Sequence, residues 1–418
     1  MVPVARWCQQ RDGASSQAMA RNGKEASVVG SNRIAQIGTY AMAAVRERTE
    51  ALRARGLSPV DFGMGDPSAP TPEFIRRACA EGIERHAASG YPPFAGSAPF
   101  RQAVVNWIDG RFGVAIDPDT EIVSSVGSKE SIFHLPEALI DPGDVVICPD
   151  PGYPPYGGGT MFAEGEPYYL PIQKRTDFLP DLDSIPDSIA ERARIFWLTT
   201  PSSPSGRIAS SEFLRSWVQW CRDRNIVACS DEAYSEIYFD QPPPSALQQG
   251  KEGVLVFNSL SKRSAMTGYR VGWVAGDARI IALYRKLKAN IDTGTPWFIQ
   301  EAAMAAYSDE SHVAEMRDGY RKRRDLFVSA FEAAGLPRSE PEASLYVWQQ
   351  APEGVTSTAL AEALLDEKIL AVTIPSAALL GDPSQHGPDE QYVRLSMVAT
   401  WEESERIAAA IAEHLRLG

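Results

Sequence analysis

Cysteine and histidine are scarce in this chain, and neither residue type clusters. The 418 residues include five cysteines without a Cys-x-x-Cys pair and five histidines without a His-x-x-x-His pair. This scatter argues against a disulfide framework and against a thiolate or imidazole metal site. Apolar runs of the roughly 20 residues that cross a bilayer are also missing. We therefore expect no metal and no membrane partner.

Positive charge is likewise in deficit, with 41 Lys and Arg against 54 Asp and Glu and a net charge of −13. No stretch concentrates basic residues enough to follow a phosphate backbone, which argues against nucleic acid as a partner. The first thirty residues lack the continuous apolar region of a signal peptide. We predict a disordered or partner-wrapped tail over 1–31 and a cytoplasmic location.

Short apolar runs that alternate with helical patterns indicate an α/β fold. Alternation of this kind predicts a mainly parallel sheet covered by helices on both faces. The predicted strands are 122–126, 145–148, 194–199, 226–229, 254–257 and 271–275. Helical stretches near 129–140, 210–223 and 278–290 separate some of them.

The pattern changes near residue 295, where a long helical stretch is followed by a mixture of helices and short strands. A second, smaller α+β domain is therefore expected. We predict an N-terminal segment at 32–62 that packs with the small domain, a large domain at 63–300, and a small C-terminal domain at 301–418.

The segment 259–270, Ser-Leu-Ser-Lys-Arg-Ser-Ala-Met-Thr-Gly-Tyr-Arg, carries most of the chemical information. Its lysine, Lys262, is preceded by the hydroxyls of Ser259 and Ser261 and followed by the guanidinium of Arg270. A buried amine can form an imine with an aldehyde, while hydroxyls and a guanidinium hold a phosphate. These groups suit pyridoxal 5'-phosphate (PLP). Taken alone, the segment fits a solvated surface turn equally well.

Polar residues follow other predicted strands at the ends where an open α/β sheet gathers reactive groups. Ser128 and Lys129 open a helix after a strand, and backbone N–H groups at such a start can hold a phosphate. Tyr153, in Asp-Pro-Gly-Tyr-Pro-Pro-Tyr, could stack on an aromatic ring. The alternatives are an ordinary helix cap by Ser128 and a packed tyrosine in a proline-rich turn.

Two charged residues sit in apolar surroundings that call for a partner. Asp231, in Asp-Glu-Ala-Tyr, follows a buried strand, and a protonated pyridine nitrogen would neutralise it. Tyr234 could then donate to the ring oxygen. Arg394 lies inside a predicted strand and suits a substrate carboxylate. A helix cap by Asp231 and an internal salt bridge by Arg394 are the alternatives.

Taken together and in this order, these segments resemble PLP-dependent aminotransferases of the aspartate aminotransferase superfamily, fold type I. The resemblance runs from about residue 32 to 415, and it implies PLP as cofactor with amino acids and 2-oxo acids as substrates. Lys262 would be the Schiff-base lysine, Asp231 the partner of the pyridine nitrogen, and Tyr234 a ligand of the ring hydroxyl. Tyr153 would stack on the ring. The implied phosphate ligands are Ser128 and Lys129 through their backbone, Ser259, Ser261 and Arg270.

The resemblance also implies a dimer and a substrate clamp. Tyr91, in Gly-Tyr-Pro-Pro-Phe-Ala-Gly, is similar to the tyrosine that reaches the phosphate of the other subunit, so a homodimer with shared sites is expected. Arg394 looks like the clamp on the substrate α-carboxylate. Gly65, in Gly-Met-Gly-Asp-Pro, looks like a backbone contact to the same group.

Local motifs suggest two related substrates. Ser-Leu-Ser-Lys-Arg-Ser is similar to N-succinyl-diaminopimelate aminotransferases, while Met-Thr-Gly-Tyr-Arg-Val-Gly is closer to LL-diaminopimelate aminotransferases. The chain also departs from the family. Ser203 stands where the family carries an asparagine that donates to the ring hydroxyl, and Ser376 stands where glycine is usual.

Three other functions remain to be weighed against transamination. A fold type I enzyme that catalyses elimination, replacement or cyclisation would use the same Lys262 and Asp231, and Ser203 raises the weight of this alternative. A PLP-binding regulator would need a DNA-binding module, for which the residues before 32 are too few. A dehydrogenase would need a Gly-x-Gly-x-x-Gly turn after a strand, and the sequence has none.

Overall fold

A computed structural model describes residues 30–31, 33–34, 43–387 and 390–417 of the chain. The predicted tail at 1–31 therefore lies almost wholly outside the described residues. Part of the N-terminal segment predicted at 32–62 lies outside them as well, and the described part includes a helix at Ala43–Ala54.

The centre of the larger part of the chain is a seven-stranded sheet, which confirms the predicted α/β class. Its strand order is β2-β8-β7-β6-β5-β3-β4, and only β8 runs antiparallel to its neighbours. The strands are β2 (Ile122–Ser125), β3 (Val145–Asp150), β4 (Glu166–Pro171), β5 (Ala193–Thr199), β6 (Val227–Asp231), β7 (Val254–Ser259) and β8 (Gly272–Gly276).

Both faces of this sheet are buried, as a parallel sheet requires. Along β3, Val145 and Ile147 belong to one hydrophobic cluster, whereas Val146 and Cys148 belong to another. Since successive side chains of a strand point to opposite faces, helices must cover the sheet on each side. The helices up to Ser308 are α1 (Ala43–Ala54), α2 (Glu73–Arg85), α3 (Ala98–Phe112), α4 (Ser128–Leu139), α5 (Pro155–Phe162), α6 (Asp187–Ala190), α7 (Ser211–Arg222), α8 (Leu260–Arg263), α9 (Ala278–Lys288) and α10 (Trp297–Ser308).

The C-terminal part is built around a small antiparallel sheet of order β11-β12-β9. A two-stranded parallel ladder joins Val60 to Ala371, so the chain before the large sheet packs into the C-terminal core. The domain boundaries themselves stay a prediction. The remaining elements are β1 (Val60–Asp61), α11 (Ser311–Ala333), β9 (Tyr346–Gln350), α12 (Ser357–Leu364), β10 (Ala371–Val372), β11 (Ile374–Pro375), β12 (Tyr392–Ser396) and α13 (Trp401–His414).

The sequence pattern missed one strand of the large sheet. β4 reads Glu-Pro-Tyr-Tyr-Leu-Pro, and its two prolines cannot donate to a ladder. The strand lies at the edge of the sheet, where proline is tolerated, and it pairs only with β3. The long helical stretch expected after residue 295 consists of two helices, because α10 ends at Ser308 and α11 begins at Ser311. No helix in the described part of the chain is both long and apolar enough to cross a bilayer.

A buried carboxylate fastens a C-terminal loop to the large sheet. Asp150, the last residue of β3, is 1% exposed. Its carboxylate accepts hydrogen bonds from the backbone N–H of Gly381 at 2.7 Å and of Asp382 at 3.0 Å, and Nε2 of His386 lies 3.1 Å from Oδ2. Three contacts from one loop therefore converge on the strand end just before Tyr153.

We predict that Asp150→Asn loosens the segment 376–387. The amide group of asparagine presents N–H where Asp382 N–H needs an acceptor, and a charge-assisted hydrogen bond contributes about 1.5 kcal/mol. Amide hydrogen exchange at Gly381 and Asp382 should accelerate by roughly 10-fold or more. Asp144→Asn, at the opposite end of β3, is the matched control. Unchanged exchange in Asp150→Asn would show that the loop is held by other contacts.

Candidate active site

The ends of three neighbouring strands bring the predicted reactive residues together. β5 ends at Thr199, β6 at Asp231 and β7 at Ser259, and the strand register places Thr199 opposite Asp231. α8 follows β7 directly and carries Lys262. These positions are adjacent because parallel strands place all their carboxyl ends at the same edge of the sheet.

Lys262 is half-buried, and its amine points at a backbone carbonyl from the start of the chain. Its Nζ donates to the carbonyl oxygen of Gly65. Burial lowers the pKa of this amine, and the positive charges of Arg270 and Arg394 lower it further. A lower pKa increases the neutral fraction of the amine, which is the form that attacks a carbonyl or removes a proton.

Asp231 is a carboxylate that the protein buries without a cationic partner among the described residues. Its Oδ2 accepts from the hydroxyl of Tyr156 at 2.8 Å, and Oδ1 accepts from the N–H of Ala233 at 3.2 Å. Burial raises the pKa of this carboxyl to about 6, against the opposing effect of those two donors. A protonated ring nitrogen would supply the missing positive charge, so Asp231 fits the pyridine side of PLP.

Tyr156 and Thr199 support Asp231, and the sequence analysis did not single out either of them. The Tyr156 hydroxyl lies 2.8 Å from Oγ1 of Thr199, and its ring stacks on Trp197 at a centroid distance of 4.8 Å. The only sequence signal was the second tyrosine of the Tyr-Pro-Pro-Tyr turn. Tyr153, the first tyrosine of that turn, is 37% exposed and meets Tyr156 edge to face.

A cup for a phosphate forms where α4 begins. No side chain caps the helix start, and its N-cap, Gly127, has a positive φ of 69°. A Cβ at Gly127 would lie 2.1 Å from the guanidinium of Arg270, so only glycine lets the arginine approach the helix start. Uncapped helix N–H groups beside a guanidinium form an anion site. The backbones of Ser128 and Lys129 lie here, while the Lys129 side chain is exposed.

The predicted hydroxyl ligands border the same cup. Arg270 Nη1 lies 3.4 Å from Oγ of Ser261 and 2.9 Å from the carbonyl of Thr267. The hydroxyl of Ser259 donates to that of Ser261 at 2.8 Å. These contacts hold two hydroxyls and a guanidinium beside the helix start, and the combination fits the phosphate of PLP.

Arg394 faces the site from β12. Its Nη2 donates to the carbonyl of Gly63 at 3.0 Å, and its guanidinium carbon lies 4.5 Å from the ring centroid of Tyr346. Its Nε is buried without a hydrogen-bond partner among the described residues. A buried N–H of this kind needs an acceptor, and a carboxylate would provide one.

Gly65 allows the chain to pass close to Tyr346. A Cβ at this position would lie 2.1 Å from the Tyr346 hydroxyl. Tyr234 lies next to the same group, with the two tyrosine hydroxyls 3.2 Å apart. The Ser203 side chain lies close enough to the Tyr346 hydroxyl to lower its pKa. Tyr346 was not predicted as a site residue, because it lies 76 residues after Arg270 and 48 before Arg394 and belongs to no local motif.

Two predicted residues do not meet the others within one chain. Tyr91 is 86% exposed. Ser376, noted as a departure from the family, is buried, and its hydroxyl accepts from the N–H of Tyr392 at 3.2 Å. Among the described residues, no three His, Cys, Asp or Glu side chains lie where they could hold a metal ion.

A mainly parallel seven-stranded sheet with a half-buried lysine, a buried aspartate and a phosphate cup at its carboxyl edge defines a PLP-dependent enzyme of fold type I. The chain belongs to the class I and II aminotransferase family, whose model matches residues 58–411. It is therefore a PLP-dependent transferase that acts on amino acids and 2-oxo acids.

Two curated relatives show the same activity. The chain is 42% identical over 340 residues to LL-diaminopimelate aminotransferase 2 of Trichormus variabilis, covering 80% of this chain and 87% of the relative. It is 39% identical over 341 residues to LL-diaminopimelate aminotransferase of Aquifex aeolicus, covering 81% and 88%.

Solved aminotransferase structures have the same architecture. An aminotransferase of Neisseria meningitidis superposes with a TM-score of 0.85 at 28% identity, covering 92% of this chain and 100% of the other. A probable N-succinyldiaminopimelate aminotransferase of Thermus thermophilus gives 0.81 at 27% identity, covering 89% and 99%.

We predict that Asp231→Asn stabilises the cofactor-free protein at alkaline pH. The folded pKa of about 6 exceeds the ordinary value of 3.8, so the stability due to this carboxyl is complete below pH 3.8 and lost as the pH rises through 6. At pH 8 the ionised carboxylate costs roughly 3 kcal/mol. Thermal unfolding of cofactor-free protein at pH 5 and 8 should show Asp231→Asn gaining most at pH 8.

The exposed Asp240 offers a matched control, since Asp240→Asn removes one charge from the surface. It should change the unfolding midpoint equally little at both pH values. The same Asp231→Asn variant should bind PLP more weakly, because it lacks the charge that faces the ring nitrogen. A gain in stability that does not depend on pH would contradict the buried-charge explanation.

Proposed function

We propose that this enzyme transfers an amino group from LL-diaminopimelate to a 2-oxo acid, with PLP carried on Lys262. Two lines support the proposal. The curated relatives at about 40% identity have this substrate in their names. The Lys262 amine has a lowered pKa and lies close enough to Arg270 and Arg394 to be affected by their charges; this single observation carries the assignment of the site.

Two sets of residues in this chain would bind the cofactor, one at its phosphate and the other at its ring. Arg270 and the start of α4 bind the phosphate, with the hydroxyls that border the cup. Tyr153 and the strand ends would hold the ring, and Asp231 would keep the ring nitrogen protonated. The proposed contacts are Ser128, Lys129, Tyr153, Ser203, Asp231, Tyr234, Ser259, Ser261, Lys262, Arg270 and, from a second subunit, Tyr91.

The chemistry needs a base at the substrate Cα and a sink for the electrons left there. Bound PLP supplies the sink through its protonated ring. Lys262 would take the proton from Cα on its Nζ, and its lowered pKa increases the fraction of the amine that is neutral and able to act. Arg394 orients the substrate by binding its α-carboxylate through the unpartnered Nε. The Gly65 carbonyl keeps the Lys262 amine directed toward that carboxylate.

We also infer a homodimer in which each site borrows Tyr91 from the other subunit. Tyr91 carries a large aromatic ring that is 86% exposed, and burial at an interface would cover it. A cytoplasmic location is part of the same proposal. The four cysteines in the described part of the chain are free thiols, as expected in a reducing compartment.

Lys262→Ala should abolish both cofactor attachment and activity. We expect the purified wild-type protein to absorb near roughly 420 nm, and this band should be missing in Lys262→Ala. Addition of LL-diaminopimelate should shift the band to about 330 nm, and a 2-oxo acid should restore it. The measurement is a visible absorption spectrum with each amino acid in turn.

Lys129→Ala serves as the control, because only the backbone of this residue is placed in the cup. It should retain the band near roughly 420 nm. A shift with glutamate or aspartate but not with LL-diaminopimelate would reject the proposed substrate. A stable band with release of an eliminated product would favour the elimination, replacement or cyclisation reaction that Ser203 leaves open.

Shared sites predict complementation between two inactive variants. In a heterodimer of Lys262→Ala and Tyr91→Ala subunits, one site contains both changes and the other contains neither. A refolded equimolar mixture should therefore regain about a quarter of wild-type activity, while each variant alone stays far below that level. Activity of the mixture that equals the mean of the separate variants would show that Tyr91 acts within its own chain.

A further inference from the structure

Because Ser203 replaces an asparagine, one side chain that would donate a hydrogen bond to the cofactor is shorter than in the family. In the family that the chain resembles, the asparagine side chain donates to the ring hydroxyl of PLP. A serine hydroxyl extends less far from the backbone than an asparagine amide. Either the ring hydroxyl loses a donor in this protein, or another side chain replaces it.

A second phenol lies where that donor is needed. The Tyr346 hydroxyl is 3.2 Å from the hydroxyl of Tyr234, and the Ser203 side chain lies close enough to lower its pKa. Tyr234 and Ser203 are the two residues assigned to the ring hydroxyl. Both of them therefore point to the place that the Tyr346 hydroxyl occupies.

The fold holds this phenol in a fixed position. Tyr346 begins β9, is 4% exposed, and pairs with Ser396 in the neighbouring strand. The guanidinium of Arg394 lies over its ring, and the absence of a side chain at Gly65 lets its hydroxyl approach the backbone. The ring is thus clamped between an arginine and the chain segment that receives the Lys262 amine.

We propose that Tyr346 is a further cofactor-binding residue, whose hydroxyl donates with that of Tyr234 to the ring oxygen of PLP in place of the family's asparagine. This inference rests on the proposed placement of PLP on Lys262. It explains how the chain accommodates Ser203 and remains an aminotransferase. It also assigns a function to a strand of the small domain that is remote in sequence from the cofactor motifs.

The local charges favour donation by this phenol. Burial alone would raise the pKa of the Tyr346 hydroxyl, but Arg394 and Lys262 outweigh it, and the pKa falls below its ordinary value of 10.0. Burial raises the pKa of Tyr234 well above the same value. A more acidic phenol is the stronger donor to an anionic oxygen, so the positive charge of Arg394 favours donation by Tyr346.

The test is the pH at which the visible band of bound PLP changes, measured without any amino acid. A hydrogen-bond donor to the anionic ring oxygen stabilises its negative charge. The oxygen then binds the proton that it shares with the Lys262 nitrogen less strongly. Tyr346→Phe should therefore move the spectral midpoint upward by about one pH unit, the equivalent of one hydrogen bond to a charged group. The double variant Tyr346→Phe with Ser203→Asn should move it back toward the wild-type value.

Tyr392→Phe is the matched control, because it removes a buried tyrosine hydroxyl from the same small sheet. The Tyr392 ring stacks on Trp348 with a centroid distance of 5.0 Å and meets Phe178 edge to face at 5.9 Å. Its midpoint should equal that of the wild type. If Tyr346→Phe does not fold, 3-fluorotyrosine at position 346 preserves the shape, makes the phenol more acidic, and should lower the midpoint.

An unchanged midpoint in Tyr346→Phe, or a lower one, would overturn the inference and leave Tyr346 as a packing residue. Equal shifts in Tyr392→Phe and Tyr346→Phe would overturn it too, since they would reflect the small sheet as a whole. Failure of the proposed function looks different. In that case the wild-type protein itself would lack a band that depends on Lys262.

Discussion

The site depends on keeping ionisable groups out of water without letting them neutralise one another. Asp231 is buried with only uncharged donors, Lys262 faces a backbone carbonyl, and Arg394 leaves one N–H without a partner. Each arrangement is costly in the protein alone, because burial disfavours a charge that has no opposite charge nearby. The same arrangement leaves each group available for a ligand that carries the complementary charges.

In the proposed function, PLP and its substrate would supply those charges at three separate points. A ring nitrogen, a phosphate and a carboxylate correspond to Asp231, to the cup at the start of α4, and to Arg394. This explains why the pKa of the Asp231 carboxyl and that of the Lys262 amine move in the directions expected from burial rather than from ion pairing. A ligand with the complementary charges would remove the cost of burying these unpaired groups, and this gain would add to its affinity.

Close backbone approach is the second requirement, and glycine provides it twice. At Gly127 the missing side chain leaves room for Arg270 beside a helix start, and at Gly65 it leaves room for the Tyr346 hydroxyl. Both glycines lie in segments that the motifs had drawn attention to. Each position requires glycine because a residue that is distant in sequence approaches it in the folded protein, and the sequence alone does not show this approach.

The sequence alone determined the class of sheet, because buried parallel strands require short apolar runs separated by helices. It also determined the candidates whose chemistry is local: Lys262 among its hydroxyls, Asp231 after its strand, and the Ser128 helix start. It missed β4, whose prolines are tolerated only at a sheet edge. The roles of Tyr156 and Tyr346 depend on tertiary structure, because folding places Tyr156 against Asp231 and Tyr346 against Tyr234. Such contacts join segments 75 and 112 residues apart, and no local pattern records them.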